Sequence, residues 1–388
     1  MSGGTALVAE PLAVLVVIAL VVVVSLKLEA HVSFFRSMGA ALVALVLGMV
    51  LSNAGVVPGE SSVYGFLQGT GVSLGIVLIL TAVDVRSIVD AGPKMLAAFG
   101  LGAFGSAVGA MVAGFFLRGP IGDETWKLAG QFTGTYVGGG VNFAALAQAF
   151  DTSSDLFTAA IAADVILTAF WMAACLAVPV ILGRRKPQGL RFDSGDDDAG
   201  PEGPMTLERS LYSSGVPVGV ADAASLIVVA LGALLGARLL ASQIPVVPEV
   251  LWLTTLALAS AQIPAVKRLA GAAMIGNYLV LLFLASNGAQ SVVQNIVRVG
   301  PAVFYFACIT VGVHGIILFG SGRLLKLDPG TLAVASQANI GGAASAMAMA
   351  SARGYTDRLL PGVAVGLLGY ALGNYLGVFV AAVMRSAL

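Results

Sequence analysis

Two segments gather polar residues around consecutive glycines inside otherwise apolar sequence. The first sets Thr133, Thr135, Tyr136 and Asn142 around Val137-Gly138-Gly139-Gly140. The second sets Gln337, Asn339 and Ser345 around Ile340-Gly341-Gly342-Ala343. A Gly-Gly tip permits a tight turn with positive φ and leaves peptide groups open to a ligand. A half-helix that starts beyond such a tip presents free N–H groups and partial positive charge, a setting that favours a carboxylate. Neutral hydroxyls and amides suit an ion or a small polar solute. The candidate substrate contacts are therefore Thr135, Tyr136, Gly138, Gly139, Gly140 and Asn142 at the first tip. Gln337, Asn339, Gly341, Gly342 and Ser345 are those at the second. Glycines in membrane helices also serve close packing, and both readings stay open at this point.

Asp164 is the sharpest single residue, lying in the apolar run Ala160-Ile161-Ala162-Ala163-Asp164-Val165-Ile166-Leu167. An ionisable group deep in lipid costs about 2.5–3.5 kcal/mol on insertion scales, so it normally marks an ion or proton path. A protonated or paired structural carboxylate is the competing reading. Ser286, Asn287 and Asn374 are further candidates for lining an ion path. Asp84 reads as a boundary charge near Arg86, and His314 as a packed neutral histidine with no neighbours to complete a metal set. Gly100-Leu101-Gly102-Ala103-Phe104-Gly105 fits a dinucleotide fingerprint but has no soluble strand before it. It reads instead as a close-packing surface, continued by Gly109. Gly362, Gly366, Gly369, Gly373 and Gly377 make a second small-residue seam.

Composition says where these residues work. Of 388 residues, 58% are hydrophobic and 10% charged, against about 25% charged in soluble domains. That excess of apolar surface belongs in lipid, which excludes a soluble enzyme and a nucleic-acid binder. Basic and acidic residues balance at 20 each, so no polyanionic partner is expected. Cys175 and Cys308 read as packing residues. Apolar runs near 20 residues fall at about 11–28, 38–57, 63–83, 95–117, 128–150, 156–182, 220–241, 248–265, 270–288, 300–320, 330–351 and 359–384. Residues 183–219, with Arg184-Arg185-Lys186 and Asp196-Asp197-Asp198, read as a hydrophilic linker between halves 1–182 and 220–388.

The halves resemble each other. Gly92-Pro93 opens the fourth run and Gly300-Pro301 the tenth, 208 residues later; the glycine tips stand 203 residues apart. Charge then decides how the chain is threaded. If runs 128–150 and 330–351 enter and return on one side, basic residues divide 15 inside to 5 outside, whereas twelve full crossings leave a weak bias at best. The expected fold is all-α and integral to the membrane, with two repeats of five crossings plus one re-entrant hairpin. Five is odd, so the second repeat is inverted. Both termini then lie outside and the linker is cytoplasmic.

The Gly-Gly segments in two opposed hairpins resemble those of the 2-hydroxycarboxylate and sodium/glutamate symporters. Val137-Gly138-Gly139-Gly140-Val141-Asn142-Phe143, followed by Ala162-Ala163-Asp164-Val165, is more specifically similar to the YjcL-like family of uncharacterised membrane proteins. The resemblance covers most of the chain outside the linker. It implies an inverted-repeat secondary transporter whose transport domain moves against a dimeric scaffold, with substrate and Na⁺ at the hairpin tips. It maps the first tip onto Gly138, Gly139, Gly140 and Asn142, and the second onto Gly341, Gly342 and Ser345. Ala344 stands where a last glycine would complete the second tip, and no intramembrane arginine suits a dicarboxylate.

The resulting expectation is a cation-coupled (Na⁺ or H⁺) symporter of a small polar organic solute, anionic solutes included, in the plasma (inner) membrane as a homodimer. Asp164 would carry the coupling ion. No enzyme activity is expected, nor any cofactor or resident metal beyond a transported Na⁺. The rival readings are a passive channel and a non-transporting membrane assembly partner.

Overall fold

A computed structural model describes residues 6–83, 91–182 and 213–388. Asp84, Arg86 and residues 183–212 of the hydrophilic segment lie outside the described residues. The described chain is helical, with no strand. The first half runs through α1 (Pro11–His31), α2 (Ser33–Asn53), α3 (Ser62–Thr81), α4 (Gly92–Ile121), α5 (Thr125–Gly138), α6 (Gly140–Ala149) and α7 (Ser154–Leu182). The second half continues with α8 (Val220–Gln243), α9 (Glu249–Ala261), α10 (Ala272–Ala289), α11 (Val293–Leu324), α12 (Pro329–Ala352) and α13 (Leu359–Ala387).

Among the described residues, eight helical stretches are long and apolar enough to cross a membrane, and shorter apolar helices span Met38–Asn53 and Glu249–Ala261. Their outward faces are oily: Leu12, Val16 and Leu20 of α1 and Val228, Leu231 and Leu235 of α8 are all exposed. A helix apolar on all sides belongs in lipid or a core. An all-helical, integral membrane fold is therefore as the composition predicts.

Local sequence sets the helix ends. Pro11 begins α1, and the Glu10 carboxylate accepts from Leu12 N and Ala13 N at 3.0 and 2.7 Å, satisfying N–H groups that have no intrahelical partner. Pro329 and Asp328 do the same for α12, with Asp328 accepting from Thr331 N at 3.0 Å. Gly92-Pro93 opens α4 as expected. Gly300-Pro301 does not open α11, which starts at Val293 and carries Pro301 inside it. Those extra turns are held by Asp155 of α7, which accepts from Val292 N and from Asn295 Nδ2 at 2.6 Å.

Two segments double back. Between α5 and α6 the break is Gly139, at φ 73° and ψ −177°; within α12 it is Gly342, at φ 77° and ψ −172°. Both values lie where only glycine sits without strain. A straight α12 of 24 residues would be about 36 Å long. Yet Asp328 before it pairs with Arg358 after it at 3.0 Å, so entry and exit meet. The first pair closes the same way: Trp126 and Phe150 rings lie 5.4 Å apart, and Lys127 Nζ donates to Asp151 O at 2.6 Å.

The helices sort into two groups. One comprises α1–α3 and α8–α10; the other comprises α4–α7 and α11–α13. Packing is dense within each group and sparse between them, where α2, α3, α9 and α10 meet α6, α7 and α13. Inside the second group α13 is the spine. A Cβ added at Gly362 or Gly366 would strike Val334 or Ala343 of α12, while one at Gly369, Gly373 or Gly377 would strike Val137 O, Asn142 or Leu146. The small-residue seam thus touches both doubled-back segments. The Gly102, Gly105 and Gly109 surface of α4 packs likewise, against Asn339, His314 and Thr310.

A bulky residue in the seam must push the backbones apart. Gly369→Val places its first carbon 2.1 Å from Val137 O, and overpacking of this kind costs about 1–3 kcal/mol or more. The expected outcome is a clearly lower thermal unfolding temperature in detergent. Gly232→Ala in α8, with nothing within 4 Å, leaves it unchanged.

Candidate functional site

The first break is built by α5. Its last turn carries Thr133, Thr135 and Tyr136, all buried. Thr133 turns its hydroxyl back onto Ala129 O at 2.8 Å, and Thr135 O accepts from Gly139 N at 2.7 Å. The fully buried Tyr136 ring lies 5.5 Å from that of Phe132. Beyond the break, Asn142 Nδ2 donates to Gly138 O at 2.9 Å and Gly369 O at 3.4 Å, tying α6 to α5 and α13. Gly140 is exposed beside it.

The second break is similar in plan. Gln337 and Asn339 are fully buried before it, and Asn339 Nδ2 donates to Ala335 O at 3.0 Å and Phe99 O at 3.2 Å. Gln337 and Ser345 crowd Gly341 from either side of the turn. Tyr370 of α13 comes within 4 Å of the Cβ position of both Gly139 and Gly342, so the breaks approach one another across a single ring. Next along α13, Asn374 Nδ2 donates to Thr254 Oγ1 of α9 at 2.8 Å.

Asp164 enters from α7, one heptad from both Phe157 and Trp171, so all three share a face. Its carboxyl lies beside the Tyr136 hydroxyl, close enough to interact but outside hydrogen-bonding geometry. Eleven buried side-chain polar atoms lack a partner among the described residues, and seven of them sit here. They are Tyr136 Oη, Asn142 Oδ1, Asp164 Oδ1, both amide atoms of Gln337, Asn339 Oδ1 and Asn374 Oδ1. Buried polar groups are nearly always paired, and this concentration of unpaired ones makes the breaks the candidate ligand site.

Ser286 and Asn287 stand elsewhere. Ser286 donates to Phe283 O of its own helix at 2.8 Å. Asn287 Nδ2 donates to Thr158 Oγ1 and Ser154 O at 3.3 and 3.4 Å, near the start of α7. Thr158 is six residues before Asp164, about 9 Å along the helix. Asn287 also lines a separate cavity of about 270 Å³ with Gln68, Gln148 and Thr152. Asn287 thus joins α10 to α7 while Ser286 bonds within α10, and neither is bonded to the glycine breaks.

A buried hydrogen-bonded chain escaped sequence reading. Trp171 Nε1 donates to Ser336 Oγ at 2.9 Å, and Ser336 Oγ meets His314 Nε2 at 2.9 Å. His314 Nδ1 faces Gly102 O at 2.9 Å and Ser106 Oγ at 3.0 Å, and Ser106 Oγ donates to Tyr136 O at 2.8 Å. A carbonyl only accepts, so Nδ1 bears the proton and Nε2 accepts from Ser336 (tautomer assigned from these partners). Neutral His314 therefore joins both doubled-back segments to α4, α7 and α11. No regular spacing links Ser106, Trp171, His314 and Ser336, so only folding could reveal them as a unit.

The entrance of the first segment holds an ionic tie. Glu124 pairs with Lys127 at 2.6 Å and accepts from Ser153 N and Oγ at 3.1 and 2.5 Å, while Gln131 donates to Thr152. Burial alone would raise the Glu124 pKa, but the Lys127 and Ser153 hydrogen bonds and the Lys127 charge outweigh it and hold it below the ordinary value. A carboxyl depressed in the folded state adds stability above its unfolded value and loses it as pH falls through the folded one. Thermal unfolding of Glu124→Gln should therefore be measurably below wild type at pH 7, with the gap closing as pH drops below about 4.

Comparison with known proteins agrees with a membrane protein. The "Uncharacterized membrane protein YjcL" of Bacillus subtilis (strain 168) is 28% identical over 367 residues, covering 92% of each chain. Residues 13–387 match the family described as "Protein of unknown function (DUF819)", a span that takes in both glycine breaks, Asp164 and Asn374. With that match running over nearly its whole length, this chain belongs to the DUF819 family, alongside YjcL-like membrane proteins.

Proposed function

We propose that the protein is a cation-coupled secondary transporter of a small polar organic solute, working by alternating access. One observation carries the reading: unpartnered buried polar atoms concentrate where two glycine breaks meet α13. Irregular backbone at membrane depth is tolerated when it is buried in protein or lines a wet cavity. Transporters place such breaks beside their substrate and ion sites.

In this reading α5–α6 and α12 are re-entrant hairpins, the first dipping from outside and the second from the cytoplasm. The meeting of entry and exit at Lys127–Asp151 and Asp328–Arg358 supports that arrangement. Each half then contributes five crossings, and the second is inverted. The near-equal backbone angles of Gly139 and Gly342, 203 positions apart, are what related repeats would produce. The mobile unit is α4–α7 with α11–α13, moving against α1–α3 and α8–α10, which also carry the homodimer contact. The sparse packing between those groups supports such movement. The termini lie outside, the hydrophilic linker lies in the cytoplasm, and the membrane is the plasma membrane. Asp164 holds Na⁺ or H⁺, and the gradient of that ion supplies the energy without enzyme chemistry or a cofactor.

In proteoliposomes, Asp164→Asn is expected to lower cation-dependent uptake by about tenfold or more, as loss of an ionisable group from an ion path would. Unchanged gradient dependence would remove Asp164 from coupling. Threading is checked separately in a background lacking Cys175 and Cys308. Thr152→Cys should react with an impermeant maleimide from outside the cell, and Tyr355→Cys only after the membrane is opened. Labelling of both from one side would refute the opposed hairpins.

A further inference from the structure

Most of the seven unpartnered atoms are acceptor oxygens. Asn142 and Asn339 each spend Nδ2 on backbone carbonyls. A carbonyl cannot donate, so turning either amide over would set oxygen against oxygen. Asn374 is fixed by a longer chain: the Thr254 hydroxyl gives its proton to Val250 O at 2.7 Å, so Thr254 Oγ1 must accept from Asn374 Nδ2. All three amides are thereby locked with Oδ1 as the remaining group. With Asp164 Oδ1, they make four buried oxygens without partners, three of which can only accept.

The remaining free groups do not redress the balance. Tyr136 Oη can donate or accept, and Gln337 offers one of each. No lysine or arginine belongs to the set. His314 has both ring nitrogens engaged, by Gly102 O and Ser336 Oγ, and so offers the set no free N–H. A net anion such as a dicarboxylate would find here one acid, several lone pairs and no fixed positive side chain. Burying it would leave its charge and the amide oxygens uncompensated, a cost well above that of an unmade neutral hydrogen bond.

We infer that the transported solute carries an ammonium group, which takes the place of the coupling ion at Asp164 and the Tyr136 hydroxyl, so that the solute is a zwitterion or a cation and not a net anion. The word "transported" rests on the function proposed above; recognition of ammonium by this site does not. An ammonium brings donors to a set short of them and neutralises the one acid in it. A carboxylate on the same molecule would be left to the helix starts beyond Gly139 and Gly342, which separates an amino acid from a simple amine.

The test is thermal unfolding of the full chain in detergent, with alanine, ethanolamine, propionate or malate, in constant NaCl or KCl. Alanine or ethanolamine should raise the unfolding temperature at millimolar concentration, and propionate and malate should not. A shift with alanine alone identifies a zwitterion, and one with both a cation-accepting site. Asp164→Asn should raise the half-saturating concentration by about tenfold or more. Should that variant fail to fold, Tyr136→Phe should weaken the same response, while Gly232→Ala keeps it. The inference is overturned if neither amine acts, if malate acts in their place, if Na⁺ alone produces the whole shift, or if the Asp164 variant responds like wild type. Amines that bind through Asp164 while flux ignores ion gradients would instead sink the coupled-transport reading and leave the ammonium site standing.

Discussion

Backbone contact between α13 and the two glycine breaks is the constraint on which the rest of the structure depends. Gly369 admits Val137 O, Gly373 admits Asn142, and Gly366 admits the Ala343 backbone. Helices in lipid gain little from burying apolar surface against one another, so close approach and its many small contacts must hold them. Asn142, Asn374 and both turns are reached from this spine. Asn142 is fastened to Gly369 O, Asn374 follows Gly373, and Tyr370 faces both turns. A single extra methyl in the seam would move all of them together.

Close approach also explains how polar side chains come to be left over. When helices touch through their backbones, carbonyls become available to neighbouring amides, and Asn142 and Asn339 take them. That bonding orients each amide and leaves its oxygen without a partner. In a soluble protein, water would fill the deficit. Within a lipid-embedded bundle the seven atoms left over are what makes this the candidate site, on a framework already satisfied elsewhere.

The His314 chain is the complement of that capacity. Every proton in it has an acceptor, from Trp171 through Ser336, His314 and Ser106 to Tyr136 O. It contributes no free group to a ligand, but it fixes α5 and α12 relative to each other, so both breaks keep their spacing within one rigid group. Asn287 and Thr158 act across the boundary between groups, where packing is thin. One network holds the site together and the other marks where the two groups part.

What the sequence determined by itself follows from local chemistry and from the solvent. Apolar runs of membrane length, the capping at Glu10 and Asp328, and the glycine breaks at 139 and 342 depend on neighbouring residues, and eight of the twelve runs stand among the described residues as helices long enough to cross a membrane. Asp164 was conspicuous for the same reason, as one acid in an apolar run. Pro301 shows the limit: the Gly-Pro signal for a helix start was overridden by Asp155, 137 positions from Val292. Only tertiary structure could separate Asn142 and Asn374 from Asn287, because an amide's role depends on which of its atoms a distant carbonyl or hydroxyl has already taken. Only it could show that Ser106, Trp171, His314 and Ser336 form one chain, since their contacts span four helices. Sequence names the groups that can donate and accept; the fold decides which of them are left over.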